Sequence, residues 1–333
     1  MGAVDSSIAL RCRPHGCELR PTEGSRRVAC PDGCDFPVDD GVARCVASQR
    51  YAGGFGLQWN AYRRTQLDSA TGTTISRDRL TRVLGGSLDE VAGRLVLEVG
   101  CGAGRFTEVL LKAGARVVAV DLSAAVDANF ANNGHRPGLT IFQADVTALP
   151  FAPGQFDVVL AIGMVQHTPD PERTIAALCA QLAPGGLVAL DHYAPGYPTT
   201  TSRRALRPVL LRLPPRWALA AVRGVVAALW PLHRLLDRGS ARVPGAGRVY
   251  QRLCSVSPVV DYQRSYPDLT PAMLRAWAIL DTHDTLTDRY KHLRSAEQIV
   301  AALAACGMER IETAYAGNGV EARARRPAAG RGG

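Results

Sequence analysis

A doubly wound α/β fold, with a mostly parallel seven-stranded sheet covered by helices on both faces, is predicted by three features of this chain. Between residues 94 and 193 short apolar runs alternate with amphipathic stretches of helical period. One of those runs, Val96-Leu-Glu-Val-Gly, passes directly into a glycine-rich turn and then a helix. After residue 290 the same rhythm returns.

The elements follow in chain order. Residues 1–46 are rich in cysteine, glycine and proline with short strand-like runs, the composition of a small module that needs a staple. Residues 47–93 form a polar, helical lead-in. The core occupies 94–193, with strands at 94–99, 116–120, 140–142, 156–162 and 187–191 and helices at 105–113, 124–132 and 172–182. Residues 194–290 break the rhythm with proline-interrupted, arginine-studded helical sequence, an insert after the fifth strand. The segment 291–325 closes the core with a helix at 295–306, capped by Ser295 and Gln298, and strands at 310–314 and 319–324. Residues 326–333 read as a disordered tail.

With 333 residues and 47% hydrophobic content the chain can bury a full core. The sequence has no run of about 18 uninterrupted apolar residues and no apolar signal core near its start, so a cytoplasmic protein is expected. A reducing compartment turns attention from disulfides to metal binding. Five of the nine cysteines lie in the first 45 residues. Cys12-x4-Cys17 and Cys30-x3-Cys34 have the arrangement of tetrahedral zinc knuckles, and thiolates make structural zinc the expected ion. Each knuckle is longer than C-x2-C, so His15 or Cys45 could substitute as a ligand. Unrelated buried cysteines, or a ribbon without its metal, are the alternatives.

Charge is unevenly spread. Residues 196–252 hold eleven arginines against the single acid Asp237, a local +10 in a chain whose net charge is +9. Such a patch fits phosphate, nucleic acid or an anionic membrane face, unless the two-lysine, arginine-rich usage merely reflects genome composition.

The glycine turn carries the strongest signal. Gly100, Gly102 and Gly104 give G-x-G-x-G, with Glu98 two residues ahead and Arg105 where a dinucleotide fingerprint would place its third glycine. Seventeen residues after Gly104 the second strand ends in Asp121-Leu122-Ser, a carboxylate able to hold a ribose diol. Gln143-Ala-Asp145-Val146 follows the third strand, Ile162 ends the fourth, and Leu182-Ala-Pro-Gly-Gly leads into the fifth. Together these resemble the successive motifs of class I, Rossmann-like S-adenosylmethionine methyltransferases, over residues 94–193 and again at 295–324. The resemblance implies that Gly100, Gly102 and Gly104 pass under the methionine portion, with Arg105 beside them. Glu98 would reach its ammonium through water, and Asp121 with Leu122 would hold the ribose. Asp145 and the Val146 amide would read the adenine edge, and Ile162 would offer a carbonyl. A sulfonium cofactor with an amino group and no phosphate suits acids and carbonyls. Asp157, by contrast, reads as a turn residue of the strand lead-in. The first 46 residues likewise resemble the small zinc ribbon found ahead of some methyltransferases.

Methyl transfer depends on orientation and needs a base only for some acceptors. His167, Asp191, His192 and His283 are the candidate catalytic residues, with Asp284 beside the last. Gln58, Trp59, Arg64, Gln66 and Asp68 could close a wall of the cofactor pocket. The apolar stretch 217–230 reads as a lid helix or an interfacial helix, too short to span. The expected function is methylation, on oxygen or nitrogen, of a small-molecule or sugar-conjugate acceptor. An RNA methyltransferase of the ribosomal guanine kind is the rival, opposed by the 6% aromatic content and the lack of aromatic-basic interleaving. A non-catalytic scaffold on the cofactor fold is the reading from another class. Peripheral contact with an anionic membrane is a possible partner role; the oligomeric state is not legible.

Overall fold

The amino-terminal residues fold into four short strands, β1 (Arg20–Pro21), β2 (Arg27–Ala29), β3 (Asp35–Asp39) and β4 (Val42–Arg44), each antiparallel to the one before. The computed structural model describes residues 7–22, 26–46, 48–240 and 245–329. β4 does what the cysteine-rich composition does not announce: it pairs in parallel with the edge of the main sheet, Val42 opposite Ile141. The module is therefore an extension of the core. Ile8, Leu10, Leu19 and Val28 join the same buried cluster as Phe142, Phe151 and Phe156, and Leu10 bridges to Phe151.

The seven expected core strands are β5 (Leu95–Val99), β6 (Arg116–Asp121), β7 (Leu139–Gln143), β8 (Phe156–Ala161), β9 (Leu182–Tyr193), β10 (Glu309–Ala316) and β11 (Gly319–Arg325). With the module they make an eleven-stranded sheet in the order β1-β2-β3-β4-β7-β6-β5-β8-β9-β11-β10. The pairs from β4 to β9 are parallel, and β11 and β10 close the edge antiparallel. Burial on both faces explains why β5 to β8 are nearly unbroken apolar runs. β9 starts five residues earlier than expected, because Leu182 pairs with Phe156 before a bulge.

The lead-in supplies α1 (Gly53–Ala61), α2 (Asp68–Thr71) and α3 (Ile75–Val83); the core supplies α4 (Arg105–Lys112), α5 (Ala125–Asn133) and α6 (Pro171–Ala180). Leu80, Val109, Leu110 and Val126 cover one face of the sheet, and Ile175, Leu178, Ile299 and Leu303 the other. The insert holds α7 (Thr201–Leu210), α8 (Pro215–Ser240), α9 (Ala246–Val256) and α10 (Pro271–Thr287), and α11 (Ala296–Ala305) carries the expected Ser295–Gln298 capping box. The tail is shorter than expected: Arg326 donates its N–H to Gly186 O at 2.9 Å, while residues 330–333 lie outside the described residues.

The insert builds a third core, in which Val222, Val226, Trp230 and Trp277 pack with Leu57, Tyr62 and Ile75 of the lead-in. A buried knot ties it together: His233 bonds Asp261 Oδ2 through Nδ1 at 2.7 Å and Ser257 Oγ through Nε2 at 2.8 Å. α8 is far longer than the 217–230 stretch suggested, 26 residues with a mean hydropathy of 1.3 over its most apolar window. It is the one helix among the described residues long and apolar enough to cross a membrane, so length does not exclude a span. Its Val222, Val226 and Trp230 face is nevertheless buried on the insert's own core.

Two arginines of the basic patch are not free surface charge. Arg203 donates to Pro258 O and Val259 O, each at 3.0 Å, and Arg207 donates to Asp288 Oδ1 at 3.2 Å. Removing the Arg203 side chain leaves two part-buried carbonyls without donors. We expect Arg203→Ala to lower unfolding free energy by about 1–3 kcal/mol and the exposed Arg212→Ala to change it by under about 0.5 kcal/mol, both read from chemical denaturation; equal effects would return Arg203 to the surface patch.

Candidate active site

The strand order turns back between β5 and β8, and the loops at their carboxyl ends open a crevice there. The β5 loop is the glycine turn. Gly100 has φ +73°, and a Cβ there would stand 2.6 Å from the Met164 side chain in the β8 loop, so only glycine lets the two loops meet. Gly104, at φ +83°, has a packing duty of its own. Its missing Cβ makes room for Asn129 Oδ1 of α5, which would lie 2.1 Å away, and Gly104 does not line the crevice.

A cavity of about 240 Å³ fills the crevice and continues under the insert. Of the expected cofactor residues, Gly100, Gly102, Arg105, Asp121, Leu122, Val146 and Ile162 line it. Asp121 accepts from Gly102 N at 3.1 Å, Ser123 N at 2.8 Å and Ser123 Oγ at 2.7 Å, yet burial still pushes its pKa up. Glu98 lies behind the wall. Its Oε2 accepts from Thr107 Oγ1 at 2.5 Å, its Oε1 has no partner, and burial pushes it up to about 8. Asp145 sits outside the lining, its Oδ1 accepting from Thr147 N at 2.9 Å and Thr147 Oγ1 at 2.8 Å to cap the turn that presents Val146. Asp157 accepts from Leu95 N at 2.9 Å, a structural bond as expected.

Arg105 donates to Gln66 Oε1 at 2.5 Å and Ser76 Oγ at 3.1 Å and lies 4.8 Å from the Phe106 ring centroid. Burial drops its pKa to about 10. From the lead-in, Gln58, Trp59 and Gln66 line the cavity. Arg64 is exposed, and Asp68 instead accepts from Ser76 N and Arg77 N, each at 2.9 Å, at the start of α3.

Of the four catalytic candidates only His167 lines the cavity. Its Nδ1 lies 3.1 Å from Tyr290 O and 3.3 Å from the Asp288 carboxylate, and its Nε2 lies 4.0 Å from Asp284 Oδ2. Burial alone would lower its pKa, but the two carboxylates outweigh it and the net shift is upward. Asp191 is spent: it pairs with Arg79 and accepts from Gly163 N at 2.5 Å. His192 bonds Tyr193 O at 2.9 Å, and burial lowers its pKa. His283 bonds Gln58 Oε1 and is driven down to about 4 by burial, a neutral orienting group.

Sequence reasoning missed Asp281 and the ring set Tyr193, Tyr197, Tyr262, Tyr266 and Trp277, all of which line the same cavity. The available signal was the spacing of Asp281 and Asp284, one turn apart on α10, with Asp288 following at the helix's C-cap.

Residues 97–190 match the model of a family described as a methyltransferase domain. The core of this chain is a class I S-adenosylmethionine methyltransferase domain. Over 102 residues, 29% of the chain, it is 42% identical to ubiquinone biosynthesis O-methyltransferase of Methylococcus capsulatus, covering 43% of that enzyme. Over 104 residues, 30% of the chain, it is 38% identical to the Pseudomonas paraeruginosa protein of that name, covering 45% of it. The matches thus span less than half the length of these curated relatives. Among solved structures, an S-adenosylmethionine-dependent methyltransferase from Mesorhizobium loti aligns at 17% identity and a TM-score of 0.42, over 75% of this chain and 98% of that one. The family match ends at residue 190, within β9, so the insert lies beyond the matched residues.

In the amino-terminal module the ligand atoms of Cys12, His15, Cys17 and Cys30 all lie within 4.8 Å of one another. His15 Nδ1 is 3.6 Å from Cys12 Sγ, 3.3 Å from Cys30 Sγ and 3.6 Å from Cys34 Sγ. Tetrahedral zinc–ligand bonds of roughly 2.0–2.3 Å put ligand atoms about 3.3–3.8 Å apart, the range of the three His15–thiol separations; Cys34 reaches His15 but lies outside the mutually close group of four.

Proposed function

We propose that this chain transfers a methyl group from S-adenosylmethionine to an oxygen of a small molecule, with a sugar conjugate included in that class. The observation that carries the reading is the single cavity joining the glycine turn and Asp121 to His167 and the tyrosines under the insert. The cofactor residues suit that ligand. The unpartnered, buried Glu98 Oε1 fits an ammonium held through water, Asp121 fits a ribose diol, and the Arg105 guanidinium, held by neutral partners, fits a carboxylate. Gly100 and Gly102 would pass beneath the methionine portion, Val146, presented by the turn that Asp145 caps, would meet the adenine edge, and Leu122 and Ile162 would line the remaining wall. Bound there, the cofactor supplies an electrophilic methyl on a sulfonium. The names of the curated relatives support oxygen as the acceptor atom.

His167 is the general base of this reading. With Nδ1–H turned to Tyr290 O and Asp288, its Nε2 is free to take the acceptor hydroxyl's proton as the oxygen–methyl bond forms and the sulfur–methyl bond breaks. The resulting imidazolium is held by Asp288 and Asp284. We expect His167→Ala to lower kcat by about 10²- to 10⁴-fold in a labelled-methyl assay. Because Asp288 raises the imidazole pKa, Asp288→Asn lowers it, and the base is then free at lower pH: the acid limb of kcat/KM moves down in pH. An unmoved limb refutes the base assignment.

For the module, we propose one structural zinc held by Cys12, Cys17, Cys30 and Cys34, with His15 able to replace one thiolate. Elemental analysis of protein prepared without chelator should give about one zinc per chain, lost in the Cys12→Ser/Cys30→Ser double variant, with methyl transfer partly surviving. Full zinc content in that variant contradicts the ligand set.

A peripheral membrane contact is supported by the corner between α7 and α8, where Leu211, Leu213 and Trp217 are exposed, Trp217 at 58%, beside the exposed Arg212 and Arg216. Sedimentation with phosphatidylglycerol vesicles, but not with neutral phosphatidylcholine vesicles, should fall several-fold in Trp217→Ala; binding insensitive to Trp217 or to lipid charge ends this reading.

A further inference from the structure

The charges lining the acceptor end of the cavity do not balance. Asp281 and Asp284 lie one turn apart on α10 and both face the cavity. Nearby cations are already engaged. Arg79 pairs with Asp191, while Arg207 and Lys291 pair with Asp288 at 3.2 and 3.1 Å. Arg105 sits beside the glycine turn on Gln66 and Ser76. Asp281 is left with neutral partners, Gln66 Nε2 at 3.5 Å and the Tyr262 hydroxyl, and Asp284 with His167 at 4.0 Å.

The walls around these acids are aromatic. Tyr193 and Tyr197 stack with ring centroids 3.9 Å apart, and Trp277 meets Tyr262 at 5.6 Å and Tyr266 at 5.0 Å. The stacked pair already hosts an ammonium on one side: Lys291 Nζ lies 5.5 Å from the Tyr197 centroid and 5.9 Å from that of Tyr193. A second unsatisfied group lines the same space. Gln58 is 1% exposed, its Oε1 is taken by His283, and its Nε2 faces Asp284 without a well-formed hydrogen bond.

On the methyl-transfer reading above, we propose that the acceptor carries a protonated amine, seated by Asp281 and Asp284 against the tyrosine faces, with an oxygen toward Gln58 Nε2. A neutral or anionic acceptor would leave the two buried carboxylates with no direct cation, offset only at longer range by Arg79, Arg105, His167 and Lys291, which the interior penalises. Burial pushes Asp281 up to about 7 in the absence of such a partner, and an ammonium beside it reverses that direction. The amine is the recognition handle; the methylated atom remains the oxygen near His167.

The test uses the whole protein loaded with S-adenosylhomocysteine and two matched triplets of probes, tyramine, tyrosol and 4-hydroxyphenylacetate, and glucosamine, glucose and glucuronate. Within each triplet the ammonium, hydroxyl and carboxylate members share one scaffold, and the decisive comparison is ammonium against hydroxyl, which differ at a single position (the ethyl terminus, or C2 of the sugar). Ligand-observed NMR titration should give the ammonium member of at least one triplet an affinity about tenfold or more above its hydroxyl member, with the carboxylate member weakest. Asp281→Asn and Asp284→Asn should each reduce that preference while leaving S-adenosylhomocysteine affinity unchanged. Equal binding across a triplet, preference for the carboxylate, no binding by any member, or a preference that survives both substitutions overturns the inference; the wild-type comparison decides even where a variant does not fold. Failure to hold S-adenosylhomocysteine at all sinks the methyl-transfer reading instead, so the two failures are told apart.

Discussion

Parallel strands joined by right-handed crossovers put α4 and α5 on one face of the sheet and α6 on the other, and this constraint governs what the rest of the molecule can do. Where the strand order reverses, the loops after β5 and β8 leave toward opposite faces, and backbone cannot fill the space between them. Gly100 and Met164 meet across that gap at a distance only glycine tolerates. Every group assigned to ligand binding hangs on a segment that ends at this crevice or is folded over it. The lead-in closes it with Gln58, Trp59 and Gln66, and the insert roofs it with α10.

A site built this way stores electrostatic strain when no ligand is present. Glu98, Asp121 and Asp281 all have their pKa values raised by burial, and Arg105 is lowered by the same cause. Each shift says that the charged form lacks a full set of partners within the chain. Structural ion pairs elsewhere look different. Asp288 has Arg207 and Lys291, and Asp191 has Arg79 and the Gly163 amide. The contrast separates acids that hold the protein together from acids that wait for something to bind, and it explains why ligands of opposite charge would stabilise the fold.

Much of the core was legible because its signals are local. A strand entering G-x-G-x-G, an acid at the next strand's end and repeated apolar runs each occupy a few consecutive residues, and the structure places them as the period predicts. What was misread depended on distant partners. Gly104 looks like a ligand-approach glycine until Asn129, on the next helix, is seen to need its space. Asp191 and His192 end a strand at the cleft, yet the first is consumed by Arg79 from the lead-in and the second faces away from the cavity. Arg203 reads as one more surface charge until Pro258 and Val259 are found to accept from it. β4 was invisible as a sheet edge because its three residues mean nothing without β7 beside them.

The insert and the lead-in were the least legible parts for a further reason: neither has a complete core of its own. Leu57, Tyr62 and Ile75 contribute to the cluster around Val226 and Trp277, so the two segments fold as one layer although the whole of 94–193 separates them in sequence. Trp277 is the joint. Its Nε1 donates to Thr65 O at 2.6 Å, its ring meets Tyr262 and Tyr266, and its face lies 6.0 Å from the Arg105 guanidinium. One side chain therefore touches lead-in, insert and the first residue of α4 at once. Arg105 packs on Trp277, and Trp277 on two of the tyrosines that line the cavity. Packed elements of this kind shift between discrete arrangements rather than deforming continuously. The indole thereby joins, in one packed path, the arginine beside the glycine turn to the tyrosine rings under the insert.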